Sequence, residues 1–453
     1  MVHKVELPAA FVQRMQKTLS TDDFNSFETS LDLTPPVSIH LHNSKPSHYK
    51  NIKDSLDAVP WCERGVYIPE RPLFTIDPGF QSGGYYVQEA SSMLIEAAMQ
   101  IALKEFPYPS MLDLCASPGG KSALVLSILN GNGLLISNET IQSRVDPLVH
   151  NLIKWGYPNQ VITSIDPARL VSLPAFFDII LVDAPCSGEG LFRKDTQSRK
   201  EWNEHQVGEC VLRQQRILMQ AIDALAPGGF LIYSTCTYNP SENIDQVISL
   251  KDHGFNSVEM PALHHLGLEV QSKQGCTGYQ SYPNKIKGEG FFITLLQKQD
   301  IGMKMDYSSN GLEWVNTPEF VKEFIENDLL SCFIHQNSYF MFPAKYQHDL
   351  EIISRACRII QAGIPCGSFK QKDFIPHHGL SQSILLKKEI PTIQLSEKAA
   401  LEYLKRNALP NDINAKGFNL ASIDNQVLGW VKGVPGRLNN LLPLSYRIRG
   451  NFN

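Results

Sequence analysis

The 453-residue sequence has no apolar run of the roughly 18 residues that a membrane-spanning helix needs, so none is expected. Its opening residues, Met-Val-His-Lys-Val-Glu-Leu-Pro, lack an apolar signal core, which makes a cytoplasmic protein the expectation. Cysteine pairing is lacking too. The nine cysteines are odd in number and scattered, without a C-x-x-C or a His/Cys cluster, so free thiols are expected and no disulfide framework, structural zinc or other metal. Positive charge is not in excess; a net charge of −5 excludes a uniformly cationic nucleic-acid binder but allows local basic surfaces. No internal repeat or low-complexity tract is visible. What remains, 43% apolar and 19% charged, is a globular chain with room for two or three domains.

One stretch organises the rest. Met111 to Leu114 reads as a short buried strand, followed by a turn of small residues and then by a helix over Ser122 to Leu129. The free backbone N–H groups of such a helix start attract an anionic group, Pro118 stiffens the entry, and Gly119 and Gly120 are expected to let a ligand approach the backbone. The next apolar run, Leu134 to Asn138, ends in Glu139, roughly 20 positions past the glycines, where a carboxylate can accept both ribose hydroxyls of a nucleoside cofactor. That placement suits NAD or S-adenosylmethionine. The loop lacks the G-x-G-x-x-G spacing that pyrophosphate contact requires, which favours the second and makes a methyltransferase the working class.

Residues 1–105 read as a small α+β module with a connector. Phe11, Met15 and Leu19 space one helical face and Phe24, Phe27 and Leu31 a second, capped by Ser20-Thr-Asp-Asp23; Val37 to His42 alternates like a half-buried strand. Tyr85 and Tyr86 are expected to pack and not to stack on bases. Over residues 106–298 strands and helices alternate, predicting a Rossmann-like α/β domain with a seven-stranded, mostly parallel sheet. The strands are Met111–Leu114, Leu134–Asn138, Val161–Ser164, Phe177–Val182, Gly229–Ser234, Gly290–Leu296 and a weaker Phe255–Glu259. A long helix runs from Val207 to Leu225 and is stopped by Pro227-Gly228-Gly229.

Ligands of open α/β sheets bind at the carboxyl ends of the strands. There the fourth strand ends in Asp183-Ala-Pro-Cys186 and the fifth in Ser234-Thr-Cys236. A lone free cysteine is commonly a small buried hydrophobe; two in adjacent polar loops at the ligand edge are poorly explained that way. Asp183 and Asp166 add carboxylates around a cofactor carrying amines, although Asp166-Pro167 also reads as a plain turn. A thiol beside a methyl donor suits a carbon that is not nucleophilic by itself, such as C5 of cytosine, which a thiolate adding at C6 would activate. Asp183 could hydrogen-bond cytosine N3. The base would have to be unstacked to reach the pocket.

Asp113-Leu-Cys-Ala-Ser-Pro-Gly-Gly-Lys121, Asp183-Ala-Pro-Cys-Ser-Gly188 and Ser234-Thr-Cys-Thr237, in this order, closely resemble the RNA (cytosine-5) methyltransferases. The resemblance implies that Cys236 is the nucleophile and that Cys186 assists release of the methylated product. It also implies that Cys115, Ala116, Ser117, Pro118, Gly119, Gly120, Lys121, Glu139, Asp166 and Asp183 contact S-adenosylmethionine. Tyr85-Tyr-Val-Gln-Glu-Ala-Ser-Ser-Met93 and Gly188-Glu-Gly-Leu-Phe-Arg-Lys-Asp195 look like the bacterial ribosomal RNA branch, the RsmF type. That branch implies 16S rRNA or the assembling 30S subunit as partner and makes DNA unexpected; a monomer is expected. His40 and His42 stand in a stretch where the family usually carries an Arg and an Asn, which leaves that strand's role open between RNA contact and packing.

Residues 298–310 read as a polar linker and 311–453 as a C-terminal α+β region, with strands at Ser338–Phe342 and Ser383–Leu386. Leu428-Gly-Trp-Val-Lys432 and Arg437-Leu-Asn-Asn-Leu-Leu-Pro443 are similar to the PUA-like RNA-binding domain that ends RsmF proteins. After Asp424 there is no acidic residue, whereas Lys432, Arg437, Arg447 and Arg449 follow, a candidate phosphate-contacting surface. Other readings are an RNA-binding assembly factor without catalysis, a tRNA cytosine-5 methyltransferase and a DNA cytosine methyltransferase. The intact cysteine pair speaks against the first, and the Thr-Cys motif with the RNA-type C-terminal region against the last.

Overall fold

The computed structural model describes residues 5–299, 307 and 311–450. Two N-terminal helices, α1 (Ala9–Thr18) and α2 (Thr21–Ser30), precede a three-stranded antiparallel sheet of β1 (Val37–Leu41), β2 (Gly65–Ile68) and β3 (Tyr85–Val87), with β1 central. Ser20 caps α2 by accepting the Asp23 amide. The helices do not enclose a core of their own: Phe11, Met15 and Phe27 pack with Phe192, Trp202, Tyr238 and Tyr282 of the following region. Helix α3 (Ile95–Glu105), inside the expected 1–105 module, buries Ile95, Ala98, Met99 and Ala102 in the core of the large sheet.

That sheet is α/β and holds all seven expected strands: β4 (Ser110–Asp113), β5 (Leu134–Asn138), β6 (Gln160–Thr163), β7 (Phe177–Asp183), β8 (Leu225–Thr235), β9 (Phe255–Val258) and β12 (Phe291–Lys298). Among the described residues it has ten strands in place of seven. β10 (Glu269–Lys273) and β11 (Cys276–Ser281) form a half-polar edge hairpin that apolar runs do not reveal, and the tenth strand, Ile359–Ala362, comes from the C-terminal region. The order is β10-β11-β12-β8-β7-β4-β5-β6-(Ile359–Ala362), with β9 beside β12. Only β8, β7, β4, β5 and β6 run parallel to one another; the flanking pairings are antiparallel, so the sheet is mixed.

Helix α4 (Gly120–Leu129) follows β4, α5 (Gln142–Trp155) follows β5, and α6 (Glu204–Ala224), capped by Asn203, leads into β8. Leu225 is already extended, so the chain passes straight from α6 into the strand. The expected helix stop, Pro227-Gly228-Gly229, lies inside β8 as an irregularity where the register with β7 shifts.

The separation expected at 298–310 is not a separation of cores. Most of those residues lie outside the described ones, but Tyr307 packs on Phe176 and its hydroxyl donates to the Pro174 carbonyl. Phe333, Phe342, Leu350 and Ile353 share one buried cluster with Leu112, Ile136 and Val161 of the large sheet. The C-terminal region has two further five-stranded sheets, the last carrying Gly417–Ile423 and Gln426–Val434. The expected strand Ser338–Phe342 occurs as Ser338–Pro343. Ser383–Leu386 is a turn, because its backbone is drawn to the catalytic region, the Ile384 amide donating to the Gly156 carbonyl. Tyr446 stacks on His150 of α5 at 3.9 Å.

His40 and His42 are both buried against Trp155. Burial, with Arg64 nearby, pushes His40 down to about 3, and burial beside Lys45 lowers His42 as well, so both rings are neutral. They pack; they offer no charge to RNA. Tyr85 is buried, and Tyr86 covers Gly120.

A chain ending at Gln299 should lose the partner strand of β6 and the cover of the shared core. Each large side chain re-exposed costs about 1.5–3 kcal/mol, so a lower melting temperature or insolubility is expected by calorimetry. A truncated chain melting with the full-length protein would show that the cores are independent.

Candidate active site

The loop after β4 is sewn into its surroundings by backbone bonds. The Leu114 amide donates to Leu181 and the Ala116 amide to Asn138, while the Ser117 hydroxyl donates to the Arg144 carbonyl and the Arg144 guanidinium to the Ser117 carbonyl. Asp113 is fully buried and accepts from the Ser122 hydroxyl at 2.6 Å; burial pushes its carboxyl up to about 7, with Ser122 acting against the shift. Gly119 has φ +107°, a conformation open to glycine. A Cβ there would meet Leu148, and one on Gly120 would meet the Tyr86 ring at 3.1 Å. The glycines therefore make room for the protein's own side chains.

A cavity of about 960 Å³ opens at the carboxyl ends of β4 to β8. Of the loop, Cys115 and Ser117 line it; Ala116, Pro118, Gly119, Gly120 and Lys121 do not. Burial and the neighbouring carboxylates push the Cys115 thiol up, keeping it protonated. Glu139, Asp166 and Asp183 all reach the cavity. Glu139 accepts the Ile141 amide at 2.8 Å and lies 3.6 Å from Arg144. Asp166 is both a cavity residue and the turn residue that the Asp-Pro pair suggests, accepting the Ala168 amide. Asp183 has both oxygens engaged, by the Ser234 hydroxyl at 2.8 Å and the Lys121 ammonium at 2.7 Å. Burial opposes the Lys121 charge, yet Asp183 prevails and the lysine pKa is raised.

Cys186 and Cys236 come together at the cavity wall with their Sγ atoms 3.2 Å apart. Both are free thiols. The hydrogen bond to Cys236, then burial, then the field of Cys236 and Glu242 raise the Cys186 pKa well above the usual thiol range. Cys186 thus keeps its proton.

Glu242 was not foreseen from the sequence. It accepts the Ser187 amide at 2.8 Å, the Ser187 hydroxyl, and the Gln214 side chain at 3.0 Å, joining the loop of one cysteine to α6; Thr237, after the other cysteine, donates to it at 3.3 Å. The signal available was the polar run Asn239-Pro-Ser-Glu-Asn243 directly after the Ser-Thr-Cys motif. Arg144, Arg213 and Arg216 also line the cavity and carry no motif. Among the described residues no His/Cys/Asp/Glu cluster could hold a metal ion, and no helix is long and apolar enough to cross a membrane.

A family model described as 16S rRNA methyltransferase RsmB/F matches residues 100–297. The N-terminal domain of 16S rRNA methyltransferase RsmF matches 7–90, and the methyltransferase RsmF PUA domain 390–448. Ribosomal RNA small subunit methyltransferase F of Salmonella paratyphi A is 28% identical over 97% of this chain and 96% of its own length. The protein of that name from Erwinia tasmaniensis is 34% identical over 65% of this chain and 64% of its own. Among solved structures, NSun6 from Pyrococcus horikoshii with SFG has a TM-score of 0.53 at 19% identity, covering 65% of this chain and 98% of that one. A methyltransferase homolog from the same organism has a TM-score of 0.52 at 23% identity, covering 64% and 100%. At such identities the structures speak for the fold alone, while the three family models, matching an N-terminal, a methyltransferase and a PUA domain in that order along the chain, show that it belongs to the RsmB/F family of 16S rRNA methyltransferases.

Proposed function

We propose that this protein is an S-adenosylmethionine-dependent RNA (cytosine-5) methyltransferase acting on 16S rRNA, alone or within the assembling 30S subunit, as a cytoplasmic monomer. The observation that carries the reading is the 3.2 Å thiol pair on a cavity that also holds three carboxylates. At about 960 Å³ the cavity lies at the upper end of the roughly 300–1,000 Å³ of small-molecule sites, room for a nucleoside cofactor and an unstacked base together. The buried Glu139 carboxylate suits ribose hydroxyls, and Asp166 and Asp183 suit amines, so the residues fit S-adenosylmethionine. The cofactor supplies an electrophilic methyl group.

The chain's residues do the rest. Cys236, its proton passed to solvent, adds as the thiolate to C6, and the electron pair of the C5–C6 double bond makes C5 nucleophilic. After methyl transfer a water molecule takes the C5 proton, the C6–S electron pair returns to Cys236, and the Cys186 S–H steadies the departing thiolate. Both Asp183 oxygens already accept, one from Lys121 and one from Ser234, so a contact with cytosine N3 would have to share one of them. The RsmF PUA match, with Arg437, Arg447 and Arg449 exposed, supports an RNA grip there; Lys432 instead lies 3.5 Å from Asp373.

Two outcomes are expected. Glu139→Ala should weaken S-adenosylmethionine binding by about 1.5–3 kcal/mol, the scale of hydrogen bonds to a charged group, in calorimetric titration of the folded variant; unchanged affinity would refute the ribose assignment. Cys236→Ala should abolish methylation of unmodified 16S rRNA without a covalent adduct, whereas Cys186→Ala should accumulate an enzyme–RNA adduct visible on denaturing gels. An adduct from Cys236→Ala reverses the roles. Wild-type protein that binds rRNA without methylating it supports the assembly-factor reading, and methylation of tRNA alone moves the substrate.

A further inference from the structure

Helix α6 presents two guanidinium groups to the cavity that the thiol chemistry does not use. Arg213 and Arg216, three residues apart and so on one helical face, line it with Cys186, Cys236 and Gln220. Both are exposed, and neither has an ion-pair or hydrogen-bond partner among the described residues. The cavity's carboxylates are already engaged: Glu139 by the Ile141 amide and Arg144, Asp166 by the Ala168 amide, Asp183 by Lys121 and Ser234. Glu209, one turn before Arg213, lies 3.8 Å from His205 instead. Two cations are thus left beside the thiols without a counter-ion. Arg213 and Cys186 also line a second cavity of about 310 Å³ with Ser187, Trp202 and Gln206, so the groove continues past the thiols along α6.

We propose that Arg213 and Arg216 form a phosphate subsite that grips the RNA backbone next to the target cytidine. The inference rests on the methyltransferase reading above. A base delivered to the thiols leaves its stack, but its flanking phosphates stay covalently attached and must lie at the cavity mouth. Guanidinium forks match phosphate oxygens in a bidentate way that a lysine does not. Two arginines one turn apart, Arg213 on the wall shared by both cavities and Arg216 on that of the larger, hold the backbone while the base reaches Cys236. The methionine carboxylate of the cofactor is an anion of similar chemistry, and the experiment separates the two.

Full-length Arg213→Gln, Arg216→Gln and the double variant are compared with wild type for binding of unmodified 16S rRNA across a salt series, for S-adenosylmethionine affinity by calorimetry, and for melting temperature. Each substitution should weaken rRNA binding about tenfold and reduce the slope of log affinity against log salt by about 0.7, the counter-ion release of one single-strand phosphate contact. Cofactor affinity should stay within about twofold and the melting temperature should be unchanged. The double Arg→Lys variant should keep the slope while losing part of the affinity. An unchanged slope and rRNA affinity in the double variant overturns the subsite, and so does a loss confined to the cofactor, which would assign the pair to the carboxylate. If wild-type protein transfers no methyl group to rRNA, it is the methyltransferase reading that fails; if it does and the double variant matches it in binding and slope, only the subsite fails.

Discussion

A carboxylate with no exposure to solvent, Glu242, holds the two cysteine loops in one geometry. Burial raises its pKa, and the Ser187 bonds act against that rise. Because a buried acid is costly unless satisfied, its partners have little freedom to leave: the Ser187 amide and hydroxyl on the Cys186 loop, Thr237 after Cys236, and Gln214 on α6. Gln214 also donates to the Pro185 carbonyl, and Tyr233 of β8 donates to the Glu242 carbonyl at 2.6 Å. A sulfur–sulfur separation set by two independent loops would drift; one set through a shared, dehydrated acid does not.

The same loop is gripped from the other side by Glu189, also fully buried. It takes Arg14 of α1 at 2.6 Å, the Trp202 indole at 3.1 Å and the Tyr238 amide. One residue on, the Gly190 amide donates to the Cys236 carbonyl, and a Cβ on Gly190 would sit 2.3 Å from the Gly290 carbonyl. Arg199 extends the tie by donating to the carbonyls of Val5 and Leu31. The N-terminal helices thus act on the shape of the thiol site as well as covering its flank.

Strand ends were legible in the sequence because they are marked twice, by an apolar run and by the break after it. Asp113, Glu139, Asp183 and Cys236 were placed in this way at adjacent carboxyl ends. Glu242 and Gln214 were not legible, since a buried polar residue looks like a surface one until its partners are known. Arg213 and Arg216 interrupt no periodicity on α6 and so left no mark. The hairpin of β10 and β11 was hidden by its polar face. His40 and His42, whose strand read equally as RNA contact or packing, are buried against Trp155, and His42 spends its ring nitrogens on the protein's own backbone. The core shared by the catalytic and C-terminal regions was hidden for a different reason, because sequence distance says nothing about which edge a late strand will join.

That late strand gives the protein an order of events during its own synthesis. The outer edge of β6 pairs with Ile359–Ala362, and the apolar layer beneath is completed by Leu350 and Ile353. Until those residues leave the ribosome, the nascent catalytic sheet carries an open edge of unpaired amides and carbonyls above an uncovered core, the condition that invites pairing with other chains. The sheet's closure therefore waits for a strand made long after β6, and an enzyme whose substrate is ribosomal RNA keeps that edge open while its own ribosome is still extending it.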